Sequence, residues 1–474
     1  MSVNVNDKNY DVIIVGAGPS GIFCAYELIN KDPSLKILMI EKGNEIRKRI
    51  CPKRKTGVCV HCKPCNITTG FSGAGAFSDG KLTLATSETG GNLDTLIGEA
   101  KVKELIKKID DIYLEFGADS FVYGLDKAEE IAAIRKKSEA AGLKLVESPI
   151  RHLGTEASYE IYSKFQDHLL EKGVNILFKT AVDDLIIDTS VKGVICKDGS
   201  EFFAPYVVVG SGREGASWFK KLCEKRNIAF KSGTVDIGVR VECRDEIMKE
   251  LNDALYESKL ILYTKSSNDK VRTFCQNPSG EVALENYHLP DGKEITTVNG
   301  HAYKSKELKT TFTNFALLVS KNFTEPFKEP LEYGTIFARA ANMLAGGSVL
   351  VQSYGDIKKH RRSTPERLKE AGGVPTCTDA VPGDLTLVLP KRIMDDIIEM
   401  IETMDKVAPG LAGDDTLLYG LEVKFYSNKV LIDENCETNI KGLFAIGDSS
   451  SWTRGLSMSS AMGLYTADVI LNKI

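Results

Sequence analysis

The segment "YDVIIVGAGPSGIFCAYELINKDPSLKILMIEKG" constrains this chain more than any other. Val12 to Val15 form a short, uninterrupted apolar run, as a strand buried on both faces requires. Gly16, Gly18 and Gly21 then supply G-x-G-x-x-G, and Ile22, Ala25, Leu28 and Ile29 follow at helical spacing. A second apolar run, "KILMIE", ends in Glu41. Strand, glycines, helix, strand and acid thus arrive in the order of a dinucleotide-binding βαβ unit. Gly16 permits the tight turn, Gly18 lets backbone approach a pyrophosphate, and Gly21 lets helix and strand pack closely. The helix N-terminus offers unpaired N–H groups to the phosphates. Glu41, followed by Lys42, stands where a carboxylate can hold ribose hydroxyls and repel a 2′-phosphate.

That fingerprint alone does not separate NAD from FAD. The other end of the chain, "GLFAIGDSSSWTRGLSMSSAMGLYTADVIL" (442–471), has a buried run, Gly447-Asp448, a loop of small residues and a helix. It resembles the C-terminal motif of FAD-dependent oxidoreductases of the glutathione-reductase-like superfamily. The resemblance implies tightly bound FAD, with Asp448 on the ribityl chain and N–H groups near Ser457 to Ser460, Ser459 among them, beside the isoalloxazine. A middle segment, "ILFKTAVDDLIIDTSVKGVICKDGSEFFAPYVVVGSG", predicts successive strands with a turn at Lys197-Asp198-Gly199. By the same resemblance Val182 lies near the adenine end, and Gly210, Ser211 and Gly212 return to the cofactor. Residues 210–215, "GSGREG", also satisfy G-x-G-x-x-G and admit a rival reading, a second site for NAD(P)H as a transient donor. Against it, no strand ending in an acid or an arginine follows about 20 residues on.

A second glycine cluster, "SGAGAFSDGKL", carries Gly73 and Gly75, whose lack of side chains lets backbone lie against a cofactor. Just ahead of it stand Cys51, Cys59, Cys62 and Cys65. With "RHLGTE" (151–156) and the C-terminal motif, these features closely resemble the bacterial family of uncharacterised FAD-dependent dehydrogenases, over essentially the whole chain. The family implies an FAD domain with an inserted second domain, and supplies no substrate. The C-x7-C-x2-C-x2-C spacing offers the four thiolates of an iron–sulfur centre, [4Fe–4S] or [2Fe–2S], or of a zinc knot. A thiol–disulfide pair and four reduced thiols are the other readings. Bacterial ferredoxins place the fourth cysteine after the trio, whereas Cys51 precedes it.

The expected architecture is α/β: a Rossmann-like, glutathione-reductase-type FAD-binding domain with an inserted α+β domain. The first is read at 1–95, 151–230 and 439–474, the insertion at 231–438, and a helical excursion at 96–150. A chain of 474 residues with net charge −4 and no charged tail fits a soluble enzyme, with neither nucleic-acid nor membrane binding expected. No stretch approaches the ~18 apolar residues of a membrane span. The N-terminus lacks the pattern of a signal peptide, so the cytosol is the expected compartment. Candidate catalytic groups are Arg151, His152, Arg272, Cys275, His301 and Arg454. Arginine would orient an acidic small-molecule substrate, and a histidine or lysine would supply or take the proton. The function expected is a flavin oxidoreductase exchanging hydride with its substrate, with an electron-transfer partner protein if the cysteines hold a cluster. An FAD-dependent RNA-modification protein, hinted at only by "KKHRRS" (358–363), and an electron-transfer flavoprotein without its own organic substrate are the alternatives.

Overall fold

The computed structural model describes residues 8–52, 60, 62–77, 80–86, 88, 90–231, 233–288, 294–302, 307, 309–321, 323, 326–327, 329–425 and 428–474. Two compact units divide the chain: residues 1–122, 149–231 and 427–474 form the first, residues 123–148 and 232–426 the second. No described helix is long and apolar enough to cross a membrane.

The first unit is built on five parallel strands: β1 (Val12–Val15), β2 (Ile37–Ile40), β3 (Asn175–Leu177), β4 (Tyr206–Val209) and β5 (Leu443–Ala445). Their order is β5-β4-β1-β2-β3, the 3-2-1-4-5 arrangement of a doubly wound nucleotide-binding sheet. The apolar runs follow from two-sided burial. Ile14, Met39, Val208 and Phe444 enter one core with helices α1 (Pro19–Lys31) and α3 (Gly455–Leu471). Ile13, Leu38, Val207 and Leu443 enter a second core with α2 (Ala216–Arg226) and a three-stranded antiparallel meander that starts at Val182. The meander turns at residues 197–199, as its sequence predicts, with Gly199 at φ +83°.

The expected excursion at 96–150 is divided between the units. Helix Glu99–Glu115 sends Val102, Leu105, Ile106, Ile109 and Ile112 into the core with α1 and α3. Helix Ala128–Ala141 belongs to the second unit, because the strand after it, Lys144–Val146, pairs with Lys259–Tyr263.

The second unit is an eight-stranded, mainly antiparallel sheet covered by helices such as Lys391–Met404. Its strand Val235–Arg244 reads as half-buried in sequence, yet every residue from Val235 to Cys243 is buried. Both faces are covered, so its charges are satisfied internally. Arg240 bonds Glu422 through Nε at 2.9 Å and Asn314 Oδ1 through Nη1 at 2.7 Å, and Lys424 reaches Glu422 at 2.9 Å.

Glu242, on the same strand, accepts from Thr376 Oγ1 at 2.5 Å and from the Tyr419 hydroxyl at 3.2 Å. Burial pushes its carboxyl from 4.5 up to about 7, against those hydrogen bonds, which pull it down. A carboxyl raised in the folded state contributes stability at low pH that is lost as pH rises from 4.5 through about 7. The melting temperature of Glu242→Gln, measured against pH, should therefore gain on the parent across that window and hold its lead above it. A constant difference would contradict the assignment.

Candidate functional site

The site grows from the sheet order. β1 and β4 are neighbours whose following connections leave in opposite directions, which opens a crevice at the carboxyl ends of the strands. Parallel register sets Val15 beside Val209 and Val209 beside Ala445, so the turns at Gly16, Gly210 and Gly447 emerge side by side. Residues more than 400 positions apart in sequence thereby share one edge.

Two glycines in the first turn are required by contact. A Cβ on Gly21 would lie 2.1 Å from the Gly16 carbonyl oxygen, and one on Gly16, at φ +103°, would lie 2.5 Å from the Gly210 carbonyl oxygen. Gly18 differs: a Cβ there would meet no protein atom within 4 Å. Its hydrogen faces space, at the entry to α1 where the first-turn N–H groups are unpaired. Glu41, 6% exposed, accepts from the Ala17 N–H at 2.9 Å and the Gly43 N–H at 2.8 Å. It holds the glycine turn while keeping lone pairs for a further donor. Lys42 instead reaches Glu214, at 3.3 Å. Thr180 N–H bonds the Glu41 carbonyl at 3.0 Å, which sets the start of the Val182 strand beside the acid.

The second glycine cluster joins them. Ser72 N–H donates to the Ala17 carbonyl at 2.7 Å, and a Cβ on Gly73 would approach Gly18 Cα to 3.5 Å. Gly75 lies against the first turn of α3, where a Cβ would meet Leu456 at 3.1 Å. The whole cluster is gripped by Arg49, which composition-level reading misses because it sits in the basic stretch "RKRICPKRK". Arg49 is 2% exposed and donates to the carbonyls of Asn66, Ile67 and Phe71 and to Ser72 Oγ, at 2.6–3.1 Å. Burial lowers its pKa to about 10, against the Glu41 charge, so it stays a cation at neutral pH.

On the far side, Asp448 pairs with Arg213 at 3.3 Å and remains part exposed. Ser457 Oγ in the first turn of α3 and Ser211 Oγ after β4 are enclosed without a hydrogen-bond partner among the described residues. Ser459 Oγ lies 3.4 Å from Thr453 Oγ1. These observations fit an adenine-linked dinucleotide: an open cradle at Gly18, an anchored acid at Glu41, and hydroxyls lacking partners at the opposite end. The second G-x-G-x-x-G opens from β4 in this same sheet, with Gly212 at φ +64°, so residues 210–215 close the nucleotide-binding unit.

The catalytic candidates are divided between the two units. Arg151, His152 and Arg454 belong to the first unit, Arg272, Cys275 and His301 to the second. Arg151 is 4% exposed and bound by both oxygens of Asp110 and by the Asp119 carbonyl, a structural tie rather than a substrate clamp. His152 pairs in register with Lys81 on a short strand. Arg272 pairs with Asp236 at 2.7 Å. Cys275 adopts φ +47°, its N–H held by Glu257 at 3.0 Å and its carbonyl by Arg240 at 3.2 Å. His301 is the exposed last residue of the strand Glu294–His301. In the basic run 358–363, Lys358 and Lys359 share Asp414 and Arg361 pairs with Asp356, two carboxylates for the run's four lysines and arginines.

Of the four cysteines, Cys59 lies outside the described residues; Cys51 and Cys62 are half-buried and Cys65 is exposed. Among the described residues no group of three or more histidine, cysteine or acidic side chains is placed to hold a metal ion.

Comparison with known proteins divides along the chain. Residues 2–46 match the model of the Thi4 family. Residues 234–425 match a family described as FAD-dependent protein, C-terminal domain-like. An uncharacterised protein of Clostridium beijerinckii is 25% identical, covering 97% of this chain and 80% of its own length. Among solved structures, glycine oxidase from Geobacillus kaustophilus aligns at 12% identity and TM-score 0.39, covering 98% of this chain and 95% of its own. L-proline dehydrogenase from P. horikoshii aligns at 12% identity and TM-score 0.38, covering 98% and 94%.

Proposed function

We propose that the chain is an FAD-dependent oxidoreductase acting on a small anionic molecule. One observation carries this reading: the glycine turns after β1, β4 and β5 meet at the switch point of a 3-2-1-4-5 sheet, around a cradle that Gly18 leaves open. The match of residues 234–425 to an FAD-dependent family supports FAD over NAD. When bound, FAD supplies an isoalloxazine that exchanges hydride or single electrons with a partner.

The chain's own residues do the rest. Backbone N–H groups at the start of α1 face the phosphates, and Glu41 accepts from the ribose hydroxyls. Asp448 accepts from the ribityl hydroxyls, and the first turn of α3, with Ser457, borders the ring system. Arg454, the N-cap of α3, is the candidate to orient substrate.

Purified protein should carry a flavin absorbance spectrum, and its absence would refute the reading. Asp448→Ala should release flavin more readily, about 30-fold in Kd, because a hydrogen bond to a charged group contributes about 2 kcal/mol. Melting of the apoprotein should barely change, since the Arg213 side chain opposite Asp448 is 56% exposed. Iron, sulfide and zinc analysis of an anaerobic preparation tests the four-cysteine segment independently of the flavin.

A further inference from the structure

Three helices of the first unit each bring an aromatic pair at positions i and i+3. Phe23 and Tyr26 lie on α1, Tyr113 and Phe116 at the end of helix Glu99–Glu115, and Tyr162 and Phe165 on helix Thr155–Glu171. Residues so spaced are neighbours on a helix face, and here the faces meet in one seam. The ring centroids of Tyr162 and Tyr113 are 6.2 Å apart, those of Tyr113 and Phe23 5.3 Å, and those of Tyr113 and Phe165 5.8 Å. Tyr26 follows, 6.3 Å from Phe23 and 6.1 Å from Phe165.

The two ends of this ladder differ. Tyr162 and Tyr113 are fully buried, whereas Tyr26 is half-buried. At the inner end, a Cβ on Gly75 would lie 3.2 Å from the Tyr162 hydroxyl oxygen and 3.1 Å from Leu456 in the first turn of α3. The innermost ring thus reaches the joint between the second glycine cluster and the helix start that borders the flavin ring system. Packing alone does not explain the residue types. Tyr113 and Tyr162 bond each other, with 2.7 Å between hydroxyl oxygens, inside a core of apolar side chains. Phenylalanine at both positions would fill that space without burying two hydroxyls. A tyrosine ring differs from phenylalanine in one further respect: it gives up a single electron to an excited flavin. Tyrosines stand at 162, 113 and 26, the last two joined through a phenylalanine ring that touches both.

We propose that this ladder passes single electrons from the surface at Tyr26 to the cofactor site, so that blue light reduces the bound flavin at the expense of a small thiol. The proposal rests on the FAD reading above. Tyr162 loses one electron to the photoexcited flavin. Tyr113 refills Tyr162, and Tyr26 refills Tyr113 across the intervening phenylalanine. The oxidised Tyr26 releases its phenolic proton to water, which balances the charge gained by the flavin. A thiol then returns a hydrogen atom to the Tyr26 oxygen, and two of the resulting thiyl radicals combine to a disulfide.

Two variants separate this path from a packing role. Tyr113→Phe combined with Tyr162→Phe keeps both rings and removes both hydroxyls, so neither is left without its partner. Tyr26→Phe alters only the outer end. Two quantities are measured on flavin-loaded protein: the fluorescence lifetime of the bound flavin, and its rate of anaerobic bleaching under blue light with dithiothreitol. The double variant should lengthen the lifetime at least threefold and slow bleaching at least tenfold. Tyr26→Phe should keep the parent's short lifetime, because the first transfer is intact. It should still slow bleaching at least threefold, because the electron returns to Tyr162 before a thiol intervenes. An unchanged lifetime in the double variant, or unchanged bleaching in Tyr26→Phe, would overturn the proposal. If the double variant loses its flavin, the bleaching rate of Tyr26→Phe decides alone. Retained flavin with parental lifetime and bleaching sinks the ladder's role only, whereas parent protein that holds no flavin sinks the oxidoreductase reading and the ladder with it.

Discussion

Gly18→Ala should leave the apoprotein's melting temperature within about 2 °C of the parent and still weaken flavin binding at least tenfold. The two effects separate because of what surrounds the added methyl. Gly18 adopts φ −78° and ψ 178°, a conformation open to any residue, and a Cβ there meets no protein atom within 4 Å. A substitution without a clash or lost contact costs within about 0.5 kcal/mol. The methyl instead occupies the cradle needed for close approach of a pyrophosphate, and 1.4 kcal/mol of lost contact is already tenfold. Gly21→Ala should behave in the opposite way. Its Cβ would sit 2.1 Å from the Gly16 oxygen, so α1 must move off β1. Overpacking of this kind costs about 3 kcal/mol, roughly 10 °C for a unit of this size, and carries the flavin site with it. Thermal scans of apoprotein and flavin titration of both variants check the pair. Equal flavin affinity in Gly18→Ala and the parent would place the cofactor elsewhere.

The contrast between these glycines was partly legible in the sequence, which assigned close packing to Gly21 and close approach to Gly18. The nucleotide-binding half was readable because its signals are local. Four-residue apolar runs, a glycine turn and a periodic helix each follow from the covering of both sheet faces. The pairing of residues 144–146 with 259–261 left no such trace: it moved residues 123–148 into the second unit through contacts more than 100 positions apart. Arg240 and Glu422 are likewise 182 positions apart, so a strand that reads as alternating is buried with its charges matched out of sight of any window. The catalytic candidates were drawn from residue type and local position in the sequence. Type does not reveal prior commitment, and Arg151 is bound on both sides by its own unit.

Arg49 is where sequence showed least and substitution should do most. Arg49→Met is expected to lower the melting temperature of the first unit and to abolish flavin retention through gel filtration. The side chain replaced is a buried cation without a carboxylate ion-pair partner among the described residues, stacked 4.7 Å over Phe77. Its donors hold three carbonyls of residues 66–71 and Ser72 Oγ, which also accepts from the Ala76 N–H at 3.1 Å. A buried acceptor stripped of its partner costs about 1–3 kcal/mol, so even after water enters, the total should reach about 3 kcal/mol. The released segment is the one whose Ser72 N–H docks on Ala17 in the phosphate turn, and Thr69 N–H ties it to the Cys65 carbonyl at 2.9 Å. Loss of the clamp should therefore loosen both neighbours, and thiol-labelling rates at Cys62 and Cys65 should rise together with flavin loss. Arg49→Lys should recover little, because one ammonium cannot reach four acceptors spread around a planar fork. If Arg49→Met kept its flavin while the thiols became reactive, the arginine would serve the cysteine segment alone and the glycine turn would stand without it.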